Sequence, residues 1–315
     1  MPPTDDALAS ICLPVRNGAS TLEPVIRSVL AQDHGNIELV ISDNASTDDT
    51  EELCRELARS DPRIVYHRQA EDIGLLDNFI AAMRRARGTF IRWIGDDDWL
   101  APTYVSRCLA EFAAESRLIL VTTQLGFVGA DGAIRTADYR ETVLSSDDPV
   151  ERFTEMLRLL NDSHLLLDPL YGVMRRSVIA RIPRRNMLRE DQVLAARMAL
   201  AGPWGHVCEV LGRRGWQDAS RRQTARRLGV PAWHASAATA LQCRELMRAV
   251  RAADLDPAQR RRASAAVVRW YVGRQQRVLT TRTHKLASAA RDQVRAAGRR
   301  PRPPDARMPG SSTQR

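Results

Sequence analysis

The first part of the chain alternates short apolar runs with stretches in which apolar residues recur every three or four positions. A short apolar run is typical of a buried strand, and the wider spacing is typical of one face of a helix. The runs are ASICLPV, IELVIS, RIVYH, TFIRWI and LILVTT, within residues 9–123. The stretches with helical spacing cover residues 22–30, 53–58 and 75–83, and a fourth helix is expected after Pro102.

This alternation predicts an α/β fold, with a mainly parallel central sheet flanked by helices. Four strand–helix alternations within about 120 residues favour right-handed βαβ crossovers. In such sheets ligands bind beyond the carboxyl ends of the strands. Residues 14–17, 43–48 and 96–98 are therefore expected to face one crevice.

Three local signals predict where these helices begin and end. Ser20 and Glu23 have the spacing of a capping box before the first helix. Gly88 is expected to end the third helix, and Pro102 suits the first turn of the fourth.

The second part of the chain is less regular. VERFTEMLRLL predicts a helix, LLLDPLYGVMRR a strand-like run leading into a helix, and REDQVLAARMALAG a helix that ends before Gly202. Helical spacing of Ala, Arg and Leu continues from residue 237, and residues 299–315 have the composition of a disordered tail. The predicted domains are therefore 1–236 (catalytic), 237–298 (basic, helical, C-terminal) and 299–315 (tail).

The charge distribution sets residues 237–315 apart from the rest. This segment has 18 Lys and Arg against five Asp and Glu, a net charge of +13, so residues 1–236 carry −4 of the total of +9. Peripheral contact with an anionic membrane is one prediction, and packing on the body or on a second copy is the alternative. Nucleic acid is less favoured because Trp270 and Tyr271 are the only aromatic residues there.

Cysteine usage and the N-terminus indicate a cytoplasmic protein. The five cysteines form no CxxC pair, which favours free thiols in a reducing compartment. The first residues have neither a basic region nor a long apolar run, so no signal peptide is expected. No stretch approaches the roughly 20 apolar residues of a membrane-spanning helix, so any membrane contact is expected to be peripheral, at the inner face.

The run GDDDW, residues 95–99, follows the fourth strand and carries the candidate chemistry. Carboxylates suit Mg²⁺ or Mn²⁺, which commonly bridge to substrate phosphates. Taken alone, the run also fits a solvated turn before Pro102. A dinucleotide dehydrogenase is not favoured because the first loop reads PVRNGAST, without GxGxxG. The sequence also contains no Walker A motif, zinc-type His/Cys cluster or GxSxG elbow.

Four strings in order resemble the family 2 glycosyltransferases, which have the GT-A nucleotide-sugar-binding fold. They are LPVRNGASTLEPVIRSVLAQ, ELVISDNASTDDT, GLLDNFIAAMRRARGTFIRWIGDDDWLAP and REDQVLAARMALAG, within residues 9–215. The resemblance implies an inverting transfer of a sugar from a nucleoside-diphosphate sugar, of UDP or TDP type, to an acceptor hydroxyl. Polysaccharide or glycoconjugate synthesis, with an acceptor that is lipid-linked or otherwise, is the expected setting.

The resemblance also assigns the donor side of the site. Pro14, Val15 and Asn17 would line the base, and Asp43 would hydrogen-bond it. Many members of the family read LDxDDW where this chain has Gly95 in place of the first aspartate, which leaves the metal pair open. Asp97 is the favoured ligand of Mn²⁺ or Mg²⁺, assisted by Asp98 or by Asp96. Asp96 is also expected to contact the nucleotide.

On the acceptor side, Asp191 matches the family's catalytic base, at a helix start where a carboxylate is favoured. Acids are common in first helical turns, so a purely structural role is the alternative. Weaker candidates for contact with acceptor or sugar are Glu190, Tyr171, His164, Asp162, Trp204 and Trp216. Arginines at positions 213, 214, 221, 222, 226 and 227 resemble a basic loop that covers the diphosphate, or else form a solvated face.

Two other functions remain open at this point. A metal-dependent nucleotidyltransferase would use a similar sheet, but the Gly- and Lys-rich signature near the first strand is missing. A non-catalytic nucleotide-sugar-binding protein is disfavoured by the retention of all four strings.

Overall fold

The first four strands form the parallel half of the sheet. The computed structural model describes residues 6–140, 142–162, 166–215 and 220–297, with side chains described to residue 277. β1 (Ala9–Val15) pairs in parallel with β2 (Ile37–Asp43) and β4 (Phe90–Trp93), and β2 pairs in parallel with β3 (Ile64–Arg68). The carboxyl ends of these strands therefore lie at one edge, as predicted.

The other half of the sheet is mixed. It contains β5 (Trp99–Leu100), β6 (Leu120–Val128), β7 (Ile134–Arg135), β8 (Val173–Arg175) and β9 (Trp204–Gly215). Among the described residues the strand order is β3-β2-β1-β4-β8-β6-β9-β5, with β7 beside β6. β8 runs antiparallel to β4 and β6, whereas β6 and β9 are parallel. The α/β fold class is confirmed, and β5, β7 and β9 are strands that the sequence pattern did not predict.

Helices cover both faces of the sheet. The first four are α1 (Leu22–Leu30), α2 (Thr50–Ser60), α3 (Leu75–Arg85) and α4 (Tyr104–Ala114). The others are α5 (Pro149–Asn161), α6 (Arg176–Ile179), α7 (Glu190–Ala201), α8 (Arg221–Arg227), α9 (His234–Ala252) and α10 (Pro257–Ala297).

Three apolar clusters hold these layers together. Leu13, Ile26 and Phe112 belong to a cluster between the sheet and α1 and α4. Trp93 and Trp204 belong to a second cluster, with residues of α3, α5 and α7. Fully burying a side chain of this size contributes about 1.5–3 kcal/mol, so the sheet is fixed firmly between its helices.

The third cluster joins α9 and the start of α10 to α5 and α7. Phe153 of α5, Leu246 of α9 and Val267 of α10 are fully buried in it. Residues 1–271 form one compact unit and residues 272–315 another, and the predicted boundary at residue 236 stays a prediction. No helix in the described part of the chain is both long and apolar enough to cross a membrane.

The helix-end signals and the strand-like run were partly wrong. α1 begins after Thr21 with no side-chain cap, and Glu23 pairs with Arg27 instead of forming a capping box with Ser20. α3 ends at Arg85, and Gly88 is needed because a Cβ there would lie 2.5 Å from the Leu8 carbonyl oxygen. Pro102 precedes the cap of α4 at Thr103. The strand-like run contributes only Val173–Arg175, after a short 3₁₀ turn.

Candidate active site

Hydrogen bonds join the loops that follow β1 and β2. Asn17 has a left-handed backbone (φ 55°). Its amide N–H donates to Ser46 Oγ at 2.9 Å, and its side-chain oxygen accepts from the Thr47 amide at 2.8 Å. Pro14 and Val15 are buried at the end of β1. Three of the predicted nucleotide-binding residues thus lie at one edge, beside the loop after β2.

Asp43 is fully buried at the end of β2. One carboxylate oxygen accepts from the amide and hydroxyl of Ser46, at 2.9 and 2.5 Å, and the other accepts from the Tyr66 hydroxyl at 2.7 Å. Both oxygens therefore already have donors and fix the loop after β2. The predicted hydrogen bond from Asp43 to a base stays a prediction.

The three aspartates after β4 point in different directions. Asp98 is buried and closes a turn, where its Oδ2 accepts from the Gly95 amide at 2.8 Å. Asp96 lies against the β1 loop, since a Cβ on Gly18 would be 3.3 Å from its Oδ2. Asp97 lies against the end of β9, because a Cβ on Gly215 would collide with its Oδ2. A Cβ at position 95 would lie 3.1 Å from Asp98 Oδ2, so a side chain there would crowd this turn.

Burial, and then neighbouring carboxylates, raise the pKa of two of these carboxyls. Burial raises the pKa of Asp97, the charges of Asp98 and Asp96 raise it further, and Arg214 lowers it. Burial also raises the pKa of Asp96, although Arg227 of α8 opposes this. Among the described residues no side chain donates a hydrogen bond to Asp97. A cation beside Asp97 would relieve this crowding of like charges.

Arg214 connects the aspartate loop to the neighbouring cleft. Its guanidinium is paired with Asp168, and its Nε lies 3.5 Å from Asp98 Oδ1. The same guanidinium stacks on the Tyr171 ring, 3.5 Å from the ring centre. Burial works against its charge, but Tyr171, Asp168 and Asp98 raise the pKa of Arg214. A permanent positive charge is therefore fixed between the two parts of the site.

The cleft has a volume of about 250 Å³ and contains the predicted base. Its polar lining includes Asp168, Tyr171, Arg184, Glu190, Asp191 and Arg214. The Asp191 carboxylate is accessible to solvent within the cleft, but the surrounding protein displaces much of its water. This desolvation, followed by the charges of Asp168 and Glu190, raises the pKa of Asp191 to about 6.

Glu190 and Tyr171 are held by the protein itself. Both oxygens of Glu190 accept from Arg184, at 2.7 and 2.5 Å, and Arg184 lies over the Trp93 ring at 5.1 Å. Tyr171 is buried, and its carbonyl accepts from the Tyr104 hydroxyl at 2.8 Å. These contacts give both residues a structural role beside the cleft, and their predicted contact with sugar stays a prediction.

The remaining weak candidates lie elsewhere or outside the described residues. Trp204 is buried in the second cluster and donates to the Met198 carbonyl, which is a core role. Asp162 accepts from Arg158 at 2.7 Å. His164 and Trp216 lie outside the described residues. Arg213 covers the ring of Trp99 at 4.8 Å.

Comparison with known proteins decides the family. The model of "Glycosyl transferase family 2" matches residues 10–182, more than half of the chain. The chain belongs to glycosyltransferase family 2. The aspartate loop, β8 and the loops after β1 and β2 all lie within the matched range, whereas Asp191 and Arg214 lie beyond it.

Curated relatives match part of this family 2 chain. A chondroitin synthase of Pasteurella multocida is 31% identical over 132 residues, which are 42% of this chain and 14% of that protein. The putative glycosyltransferase EpsH of Bacillus subtilis is 28% identical over 47% of this chain and 42% of its own. The abequosyltransferase RfbV of Salmonella typhimurium is 39% identical over 30% of this chain and 29% of its own. The chain spans less than half the length of these relatives.

Solved structures share the fold. S. aureus TarS 1–349 in complex with UDP has a TM-score of 0.59 and 16% identity, and the match covers 82% of this chain and 70% of that one. The mannosyltransferase PcManGT of Pyrobaculum calidifontis, in complex with GDP-Man and Mn²⁺, has a TM-score of 0.54 and 15% identity. The match covers 91% of this chain and 80% of that one. These likenesses show that the family 2 chain has the GT-A-like fold.

Proposed function

We propose that this chain is a metal-dependent inverting glycosyltransferase that moves a sugar from a nucleoside-diphosphate sugar to an acceptor hydroxyl. The observation that carries the proposal is the position of Arg214. Its guanidinium contacts Asp98 in the aspartate loop and Asp168 in the cleft that contains Asp191. A donor held at the loop would therefore present its reactive carbon toward a carboxylate of raised pKa.

The proposal places the nucleotide at the carboxyl ends of β1 and β2. Pro14, Val15 and Asp43 end these strands, and Asn17 joins the loops that follow them, so the base is placed there. Asp96, against the first of these loops, is placed at the ribose. The UDP complex of TarS supports a UDP-sugar donor, whereas PcManGT binds GDP-Man. The proposal therefore leaves the nucleotide of the donor open between UDP, TDP and others.

The carboxylates fit a hard divalent cation. Asp97 is crowded by two like charges, and Asp98 Oδ1 accepts no hydrogen bond among the described residues. Mg²⁺ and Mn²⁺ are commonly held by one or two carboxylates together with substrate phosphates. Asp97 would hold the cation, with Asp98 as second ligand. When bound, the cation supplies positive charge that stabilises the leaving diphosphate.

The chain's own residues would serve the transfer as follows. Asp191 accepts the proton of the acceptor hydroxyl. At the same time the hydroxyl oxygen of the acceptor attacks the anomeric carbon of the donor, from the face opposite the diphosphate. The bond from that carbon to the diphosphate oxygen breaks, which inverts the configuration. Arg214 contributes a fixed positive charge near the negative charge that develops on the leaving group.

The acceptor is proposed only as a class. The printed names of the relatives include a chondroitin synthase and an abequosyltransferase, which supports polysaccharide or glycoconjugate synthesis. Tyr171 and Glu190 line the cleft and are placed on the acceptor side.

A panel of nucleotide sugars tests the donor side of the proposal. Each is added to the protein with Mn²⁺ or with EDTA, and the Tm is measured. We expect one or more donors to raise the Tm only when Mn²⁺ is present, because ligand binding to the folded state stabilises it. Equal shifts in EDTA would remove the metal from the account.

A further inference from the structure

Helix α9 contacts the segment that carries Asp191. Arg189 has a left-handed backbone (φ 62°, ψ 31°) and directly precedes α7. Its Nη1 donates to Thr239 Oγ1 and to Gln242 Oε1 on α9, both at 3.1 Å. A left-handed conformation is unfavourable for a residue with a Cβ and persists where the surroundings hold it.

Gln242 contacts both sides of the Glu190–Asp191 pair. Besides accepting from Arg189, its side-chain amide donates to Gln192 Oε1 at 2.9 Å. Gln242 is completely buried, so water would not replace these bonds if the side chain were removed. One amide group therefore holds the residues that flank the pair.

Within the Glu190–Asp191 pair, the described residues hold the side chain of Glu190 but not that of Asp191. Glu190 is paired with Arg184, whose side chain is 5% exposed. Among the described residues no side chain donates a hydrogen bond to the Asp191 carboxylate, which faces the cleft. The backbone around Asp191 is thus fixed while its carboxylate is left available for a substrate.

We propose that Gln242 is a positioning residue, which sets the location of the Asp191 carboxylate through Arg189 and Gln192. This rests on the proposed function, in which Asp191 is the base. It also gives α9 a part in the reaction, although the catalytic strings of the sequence all end before residue 237. A displacement of about 1 Å in a catalytic group can reduce a rate by about 10²-fold.

The test compares two substitutions on α9. Gln242→Met keeps a long unbranched side chain but removes both hydrogen bonds. Glu245→Gln is the control, because Glu245 is equally buried and also joins α9 to α7, through Arg197 at 3.2 Å, but does not contact the residues beside Asp191. The measurements are kcat, donor KM, the pH profile of kcat and hydrogen exchange of the amides in residues 189–193.

We expect Gln242→Met to lower kcat by about 10-fold or more with little change in donor KM, as follows from a misplaced group. The acid limb of its kcat profile should move below pH 6, because Asp191 would become better hydrated. Its amides in 189–193 should exchange faster, and Glu245→Gln should show none of these changes.

Unchanged kcat and acid limb in Gln242→Met, or the same changes in Glu245→Gln, would overturn the positioning role. If the wild-type protein turns over no nucleotide sugar, the proposed function fails instead. The exchange comparison still decides the contact in that case, since equal exchange in Gln242→Met and wild type refutes it.

Discussion

Asp97 and Asp191 both have raised pKa values, but for different purposes in the proposed reaction. Burial and two adjacent carboxylates raise the pKa of Asp97, and a cation there would offset the repulsion between these like charges. Displacement of water by the protein around the cleft, followed by the charges of Asp168 and Glu190, raises the pKa of Asp191 to about 6. A proton acceptor with a pKa near the working pH is the efficient kind.

The first prediction concerns Asp97. Asp97→Asn removes the charge that attracts the cation but keeps the size of the side chain, so turnover should be abolished while the protein stays folded. Turnover and circular dichroism measure the two effects. Asp147→Asn, at a side chain that is 91% exposed, is the control and should retain full activity. Full wild-type activity in excess EDTA would refute the role of the metal.

The second prediction concerns Asp191. Asp191→Asn should reduce kcat by at least about 10²-fold, a typical loss for a positioned proton acceptor. Donor affinity, measured by calorimetry, should change little because Asp191 is placed on the acceptor side. Loss of donor affinity with kcat preserved would make Asp191 a donor ligand.

The third prediction is the pH dependence of the wild-type enzyme. The base acts in its deprotonated form, which is present above its pKa and lost below it. Because the pKa of Asp191 is raised to about 6, kcat should fall as the pH is lowered through about 6. A kcat that stays constant down to pH 4.5, where an ordinary carboxyl begins to titrate, would contradict this assignment.

At the scale of elements, β9 packs against the aspartate loop, where the proposal places the metal. Its last residue, Gly215, packs so closely on Asp97 that a Cβ would collide with the carboxylate. Gly215→Ala should therefore displace Asp97 and raise the Mn²⁺ concentration for half-maximal activity about tenfold, equivalent to about 1.4 kcal/mol. Gly35→Ala is the control, since a Cβ there meets no atom within 4 Å. An unchanged Mn²⁺ requirement in Gly215→Ala would show that Asp97 is not the ligand.

The sequence predicted the elements whose burial is uniform. β1 and β2 are buried along their whole length, so their apolar runs identify them correctly. β9 was missed because its buried and exposed positions follow no regular alternation and its register with β6 shifts at Thr123 and Gln124. Its last residues nevertheless carry Arg214 and Gly215, of which only Arg214 was singled out from the sequence.

The site itself was predictable only in part. The order of GDDDW after an apolar strand was enough to place the aspartates at the sheet edge. The contributions of Asp168, Arg184 and Gln242 depend on contacts across 46, 6 and 50 residues of chain. Asp168 and Arg184 have no distinguishing neighbours in the sequence, and Gln242 resembles any polar residue of an amphipathic helix. Three-dimensional packing alone brings Asp168 and Arg184 to the cleft and Gln242 into contact with Arg189 and Gln192.

At the scale of the whole molecule, the basic C-terminal helices provide a fifth test. Peripheral binding to an anionic membrane is the proposal, with about 1 kcal/mol for each arginine near the surface. Arg251, Arg261 and Arg269 are exposed on α9 and α10. The triple Gln variant should lose co-sedimentation with anionic vesicles at low salt, whereas the wild type should bind and be released by raised salt.

The matched control for this test removes the same charge from the body of the molecule. Arg27, Arg55 and Arg59 are exposed on α1 and α2, and their Gln variant should still sediment with the vesicles. If the wild type sediments equally with neutral and anionic vesicles, or with neither of them, the result would favour a packing role for the basic helices.

The most direct test of the central claim is the product released from a nucleotide sugar with Mn²⁺, in the presence and absence of a hydroxyl acceptor. The wild-type protein should release the nucleoside diphosphate, slowly when water is the acceptor, and Asp97→Asn should release none. Release of the sugar 1-phosphate would instead indicate a nucleotidyltransferase, and binding without any product would indicate a non-catalytic protein. Either of those results would contradict a glycosyltransferase.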